Sequence, residues 1–170
     1  MQEKIKKYSK EFLFFIISVF VISNLISLYK SQDLNSERFI LKNLTLIDGK
    51  KYKVPLNKPT LVHFWATWCP TCKMEASNIE KLSKDYEVIT IAVQSGDDKK
   101  IKAYLKENNL SFKVLNDNKG IYAKKFNIEV FPTTFIYDKN QELVFSEVGY
   151  TSTLGLKLRM FWASLDIIAK

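Results

Sequence analysis

Cys69 and Cys72 are the only cysteines in a chain of 170 residues, separated by Pro70 and Thr71. Before them runs an apolar, β-branched and aromatic stretch over 60–64, and after them a helix-like segment over 73–86 with apolar positions at Met74, Ile79 and Leu82. This order predicts a buried strand over 60–66 that turns into a helix, with both thiols at the junction. A thiol at a helix N-terminus faces unpaired backbone N–H groups and the positive end of the helix dipole, which favours the thiolate. Cys69 is therefore predicted to be the more acidic and reactive of the two. Pro70 suits the first helical turn, where its missing N–H would have had no partner. Cys72, three residues on, is placed to attack a mixed disulfide formed on Cys69. The chemistry this predicts is dithiol–disulfide exchange, with Cys69 as nucleophile and Cys72 as resolver. The two sulfurs carry the electrons themselves, so no cofactor is required.

Other uses of the pair are weaker. As a structural staple it closes so short a loop that chain entropy yields only about 2 kcal/mol. A zinc site wants four ligands, and His63 is the only histidine, with no second cysteine pair. Holding Cu(I) between two thiolates remains chemically open.

The run Trp65-Ala66-Thr67-Trp68-Cys69-Pro70-Thr71-Cys72-Lys73, preceded by Phe64 and followed downstream by Phe131-Pro132-Thr133-Thr134-Phe135, resembles the active-site motifs of the thioredoxin-like superfamily, in its membrane-anchored extracytoplasmic branch. The resemblance implies an α/β thioredoxin-like fold with a central mixed β-sheet flanked by helices. It also implies that the Phe131–Pro132 bond is cis and lies beside the thiols. There Pro132 and Thr133 would orient the backbone of a client, while Trp68, Pro70, Thr71 and Phe131 shape the surface that receives it. Trp65 either shares that task or closes an edge of the core. His63, six positions before Cys69, stands where thioredoxin carries a buried acid that assists proton transfer. A buried neutral imidazole can shuttle a proton near neutral pH, or it can simply fill a strand position. Cys-Pro-Thr-Cys-Lys-Met-Glu resembles the active-site run of the cytochrome c maturation thiol reductases, which makes Glu75 a second proton-transfer candidate. Thr133 stands where those proteins carry glutamate. Segments 94–98, 114–117, 149–152 and 155–163 resemble the ScsD family, membrane-anchored protein disulfide oxidoreductases linked to suppression of copper sensitivity.

Composition bounds the setting. With 46% apolar residues the chain can bury one ordinary core. A net charge of +8 suits anionic surfaces, but no nucleic-acid motif accompanies it, so nucleic acid is excluded as a partner. Lys4, Lys6, Lys7 and Lys10 precede an apolar run over 12–28. Seventeen helical residues span about 25 Å against a hydrocarbon core of roughly 30 Å, and Tyr29 can anchor the far interface. Ser27-Leu28-Tyr29 offers no A-x-A cleavage pattern, which favours an uncleaved signal anchor over a cleaved signal peptide. The leading lysines place the N-terminus in the cytoplasm. The organisation predicted is thus a cytoplasmic N-terminus over 1–11, a single-pass transmembrane signal anchor over 12–29, a linker over 30–38 and a thioredoxin-like domain over 39–170. That domain would face the periplasm or cell exterior, where disulfides persist. Its expected partners are disulfide-bearing client proteins and, as the resemblance implies, a membrane thiol electron transporter.

Within the domain, alternating apolar residues from Phe39 to Leu56 around Asp48-Gly49 predict an N-terminal hairpin. A strand over 87–94 should pair in parallel with 60–66 through a right-handed crossover. Ser95-Gly96-Asp97-Asp98 supplies a turn and an N-cap for a helix over 99–108. A strand over 112–115 and a helix over 121–126 follow, and these elements resemble the central αβ insertion of extracytoplasmic thioredoxin-like proteins. A second hairpin is expected over 133–137 and 142–148. A last helix over 152–168 should turn Leu154, Leu158, Phe161, Leu165 and Ile168 toward the core.

Overall fold

The structure is a computed structural model, and it describes residues 44–165 together with Glu11, Phe12, Phe14, Phe15, Ser18, Val21 and Ile22. The transmembrane anchor, apart from six of those positions, lies outside the described residues, as do the linker, Phe39, Leu41 and Ile168. Among the described residues no helix is long and apolar enough to cross a membrane.

The apolar, β-branched runs become strands of one mixed sheet. A short hairpin, β1 (Leu44–Thr45) and β2 (Lys51–Tyr52), comes first and turns at Asp48-Gly49. There Gly49 adopts a φ of 85°, a conformation a Cβ would oppose. β3 (Thr60–Trp65), β4 (Glu87–Val93) and β5 (Lys113–Asp117) run parallel to one another. β6 (Thr133–Tyr137) pairs antiparallel with β3, and β7 (Leu143–Val148) antiparallel with β6, so the sheet order is β5-β4-β3-β6-β7. Helix α1 (Pro70–Ser83) connects β3 to β4, and α2 (Asp98–Glu107) connects β4 to β5. α3 (Ile121–Lys125) follows β5, and α4 (Thr153–Ser164) follows β7.

Alternation along β3 divides the core. Leu61 and Trp65 pack with Ile79 and Leu82 of α1, Ile101 of α2, and Leu156 and Met160 of α4. Val62 and Phe64 pack on the other side with Leu44, Tyr52, Ala123 and Phe126. The parallel strands β3, β4 and β5 all end at one pole of the domain, where α1 begins. At the opposite pole β4 begins at Glu87, which accepts a hydrogen bond from the Tyr52 hydroxyl at 2.7 Å and forms an ion pair with Lys113.

Helix α3 is capped from outside. Its N-cap, Gly120, has no side chain to offer, and Asp117 supplies the acceptors instead: Oδ1 takes the Ile121 N–H at 2.7 Å and Oδ2 the Ala123 N–H at 2.8 Å. Asp117 is buried, so Asp117→Ala strands two donors and should cost about 2 kcal/mol, read as a lower urea midpoint with an unchanged m-value.

The final helix corrects the expected burial. Leu156, Met160 and Ala163 form its buried face, whereas Leu154, Leu158 and Phe161 are 69%, 52% and 53% exposed. Both faces carry apolar residues at helical spacing, so periodicity alone fits either roll. The preceding segment fixes the roll, because the Thr151 N–H and carbonyl and the Thr153 hydroxyl are all bonded to side chains of α1. Leu56, expected on the inner face of the first hairpin region, is likewise exposed, in the turn before β3.

Candidate active site

Cys69 is the N-cap of α1 in extended conformation, and Pro70 is the first helical residue. The Cys69 sulfur accepts a hydrogen bond from the Cys72 N–H at 3.1 Å, satisfying one of the orphan donors at the helix start. No acidic residue occupies the first turn, so nothing offsets the positive end of the helix dipole beside the sulfur. The two cysteines are disulfide-bonded with Cα atoms 5.3 Å apart. Both are buried, Cys69 5% exposed and Cys72 2%.

The expected rim residues gather here unevenly. Trp68 is exposed; its indole N–H donates to the Gln94 carbonyl at 3.2 Å, and its ring meets Phe131 edge-on with centroids 5.6 Å apart. That contact brings the 129–132 loop to the thiol junction. The Phe131–Pro132 bond is cis. Pro70 is exposed and Thr71 half-buried, while Thr133 points inward, its hydroxyl donating to the Val130 carbonyl at 2.7 Å. The Pro132 carbonyl accepts the Gly149 N–H at 2.8 Å. Trp65 takes no part in the rim: it is buried against Tyr104 and Phe112 and closes the core.

His63 and Glu75 are both buried, in different environments. His63 shares the α1-facing side of β3 with Leu61 and Trp65, and its Nδ1 is 2.9 Å from the Thr134 hydroxyl. Cross-strand pairing continues that polar row from Thr90 through His63 and Thr134 to Glu147. Burial pushes the imidazole pKa down to about 3, so His63 is neutral at neutral pH and does not titrate there. Glu75 is fully buried on α1, three residues past Cys72 and hence on the same side of the helix. Burial pushes its pKa up to about 8, with the Thr151 N–H on Oε1 at 3.1 Å opposing and the Glu147 charge adding to the rise. Its Oε2 has no hydrogen-bond partner. Glu147 itself is ion-paired with Arg159 at 2.6 Å. Of the two proton-transfer candidates, only Glu75 has its pKa brought close to neutral pH.

Sequence reasoning did not place Thr134, Glu147, Asn78 or Tyr150 near the site. Asn78 donates to the Tyr150 hydroxyl at 3.1 Å and the Thr151 carbonyl at 3.0 Å, and accepts from the Thr153 hydroxyl at 2.8 Å. An asparagine on the core-facing side of an amphipathic helix was the available sign, since a buried amide must find partners. Thr134 and Glu147 reach His63 and Glu75 only through strand pairing, which has no local signature.

Comparison with known proteins agrees with this geometry. The AhpC/TSA family model matches residues 37–146. A thioredoxin-like protein of Haemophilus influenzae is 34% identical over 167 residues, covering 94% of this chain and 97% of its own. Sporulation thiol-disulfide oxidoreductase A of Bacillus subtilis is 26% identical over 127 residues, covering 70% of this chain and 75% of its own. The crystal structure of StoA from Bacillus subtilis superposes with a TM-score of 0.64 at 23% identity, covering 73% of this chain and 98% of that one, which is a likeness of fold. With its cysteine pair on the helix N-terminus of that fold, the chain belongs to the AhpC/TSA family of thioredoxin-like proteins and is a thiol-disulfide oxidoreductase.

Proposed function

We propose that the chain is a single-pass protein of the cytoplasmic membrane whose extracytoplasmic domain reduces disulfides in other proteins. The observation that carries this reading is the Cys69 sulfur held at the N-cap of α1 by the Cys72 N–H. In the reduced form the Cys69 thiolate attacks one sulfur of a client disulfide; that S–S bond breaks, and the other client sulfur leaves as a thiolate. Cys72 gives its proton to the Glu75 carboxylate and attacks the Cys69 sulfur. The mixed disulfide breaks, the second client sulfur is released, and the Cys69–Cys72 bond forms. The client gains two electrons, which a membrane thiol transporter restores to the pair. Trp68, Phe131 and Pro132 receive the client backbone, and the sulfurs need no further cofactor.

Glu75 supports a narrower second reading, in which the client is apocytochrome c. Loss of c-type cytochromes on deletion of the chain, with other extracytoplasmic disulfides unaffected, is its test. Thiol trapping in intact cells tests the main reading: Cys69 and Cys72 should be found largely reduced, and should become oxidised when the membrane electron supply is removed. Tight stoichiometric Cu(I) binding without disulfide turnover would instead identify a copper-holding module.

The proton step makes its own prediction. Glu75 accepts a proton only as the carboxylate, so the rate of client reduction should rise with pH through a midpoint near 8. Glu75→Gln should remove that rise and slow the resolving step by about 10²-fold. His63→Phe should leave the profile unchanged, because an imidazole with a pKa near 3 carries no proton over that range. Stopped-flow rates from pH 6 to about 9 read both outcomes.

A further inference from the structure

The outward face of α4 has an identifiable direction. Leu154, Leu158, Phe161 and Trp162 are each about half or more exposed and share one side of the helix, opposite Leu156, Met160 and Ala163. An exposed apolar stripe of this kind on a folded domain marks an interaction surface. α4 runs alongside α1 in the same sense: Thr151 meets Glu75, Thr153 meets Asn78, and Lys157 pairs with Asp85 at 2.7 Å. α1 starts at the thiols and ends at the opposite pole, so Phe161 and Trp162, past Lys157, lie at the pole farthest from Cys69.

The same pole is where the chain enters the domain. Leu44 pairs with Tyr52, whose hydroxyl is bonded to Glu87 at the start of β4. The fifteen residues 29–43 join that point to the apolar run over 12–28, and even fully extended they reach only about 50 Å. Exposed lysines surround this end: Lys53 follows β2, Lys58 precedes β3, and Lys84 caps α1. Tryptophan and phenylalanine flanked by lysines suit the boundary between lipid headgroups and acyl chains.

We propose that the C-terminal end of α4, with Leu158, Phe161 and Trp162, rests on an anionic lipid bilayer, with the lysines of the same pole on its headgroups and the thiols turned away from the membrane. This orientation rests on the membrane-anchored reading above. It makes the final helix a second membrane contact, which holds the active site at a set height above the bilayer.

The test uses the full chain with Cys69→Ser and Cys72→Ser, reconstituted into vesicles of phosphatidylcholine and phosphatidylglycerol. A single nitroxide is attached at Phe161→Cys, at Leu158→Cys, or at Lys99→Cys on the first turn of α2 at the thiol pole. Power saturation with oxygen and with a water-soluble nickel chelate is then compared. The expected result is a reversal: oxygen dominates relaxation at 161 and 158, and nickel dominates at 99. Nickel access at 161 and 158 equal to that at 99 overturns the proposal. So does shielding of both labels from both reagents, which would place a protein, such as a second copy, on this face. Extraction of the chain from the vesicles at alkaline pH would instead sink the anchored reading itself, and a retained chain with nickel-accessible labels would sink only the orientation.

Discussion

Cys69→Ser lowers client-disulfide reduction by at least roughly 10³-fold, whereas Cys72→Ala leaves the first attack intact and accumulates a covalent mixed disulfide. The asymmetry follows from the cap geometry. Cys69 holds the N-cap position, where unpaired N–H groups and the helix dipole stabilise its thiolate. Cys72 lies inside the first turn with 2% exposure. Removing the nucleophile removes the reaction. Removing the resolver removes only the escape from the intermediate, and client released then depends on attack by external thiols. Non-reducing mass spectrometry should find the client adduct on Cys72→Ala and none on Cys69→Ala. Trapping by Cys69→Ala and not by Cys72→Ala would assign the roles the other way round. Neither variant should lose more than about 2 kcal/mol of stability, because the loop the disulfide closes is so short.

The second large effect is a stability curve with a flat top. The folded pKa of Glu75 is raised from 4.5 to about 8, so between those values the folded state holds a proton that the unfolded chain has released, and stability falls as pH rises. The folded pKa of His63 is lowered from 6.5 to about 3, so between those values the unfolded chain holds the extra proton, and stability rises with pH. Each slope is about 1.4 kcal/mol per pH unit. They cancel between pH 4.5 and 6.5, leaving a plateau. The His63 slope acts alone below it and the Glu75 slope alone above it, each worth about 2 kcal/mol over its window. Glu75→Gln should remove the fall between pH 6.5 and 8, so that stability climbs from pH 3 to 6.5 and then levels. His63→Phe should remove the rise at acid pH, so that stability falls steadily from 4.5 to 8. Urea midpoints across pH 3 to about 9, read as differences from the parent chain, decide both. A parent curve without a plateau would mean that the two groups are not buried as described.

Much of this was legible in the amino-acid order, because the decisive features are local. The junction at Cys69 is written in one stretch: a β-branched run, then Trp68, then Pro70 at the only helical position where proline costs nothing. The hairpin at Asp48-Gly49 and the cap at Asp97 are local in the same way, and both formed. What the order concealed depends on partners far along the chain. For His63 the order alone leaves a proton shuttle and a residue that fills a strand position both open, and the extent of its desolvation, which lowers its pKa to about 3, is a property of surroundings rather than of the residue. Glu75 owes its raised pKa to the same burial, and to Glu147, 72 positions away in sequence. In α4 the order presents two apolar faces, and only the bonds from Thr151 and Thr153 to α1 select which one is buried.

Residues 149–153 tie together two segments that flank the thiol junction. Gly149 holds the Pro132 carbonyl, and one to four residues later Tyr150, Thr151 and Thr153 hold Asn78 and Glu75 of α1. The Pro132 segment and α1 are thus fastened to one short bar, and their spacing depends on it. An insertion there would shift the Pro132 segment relative to α1. Lengthening the 138–141 turn, at the far end of the same hairpin, would leave that spacing untouched.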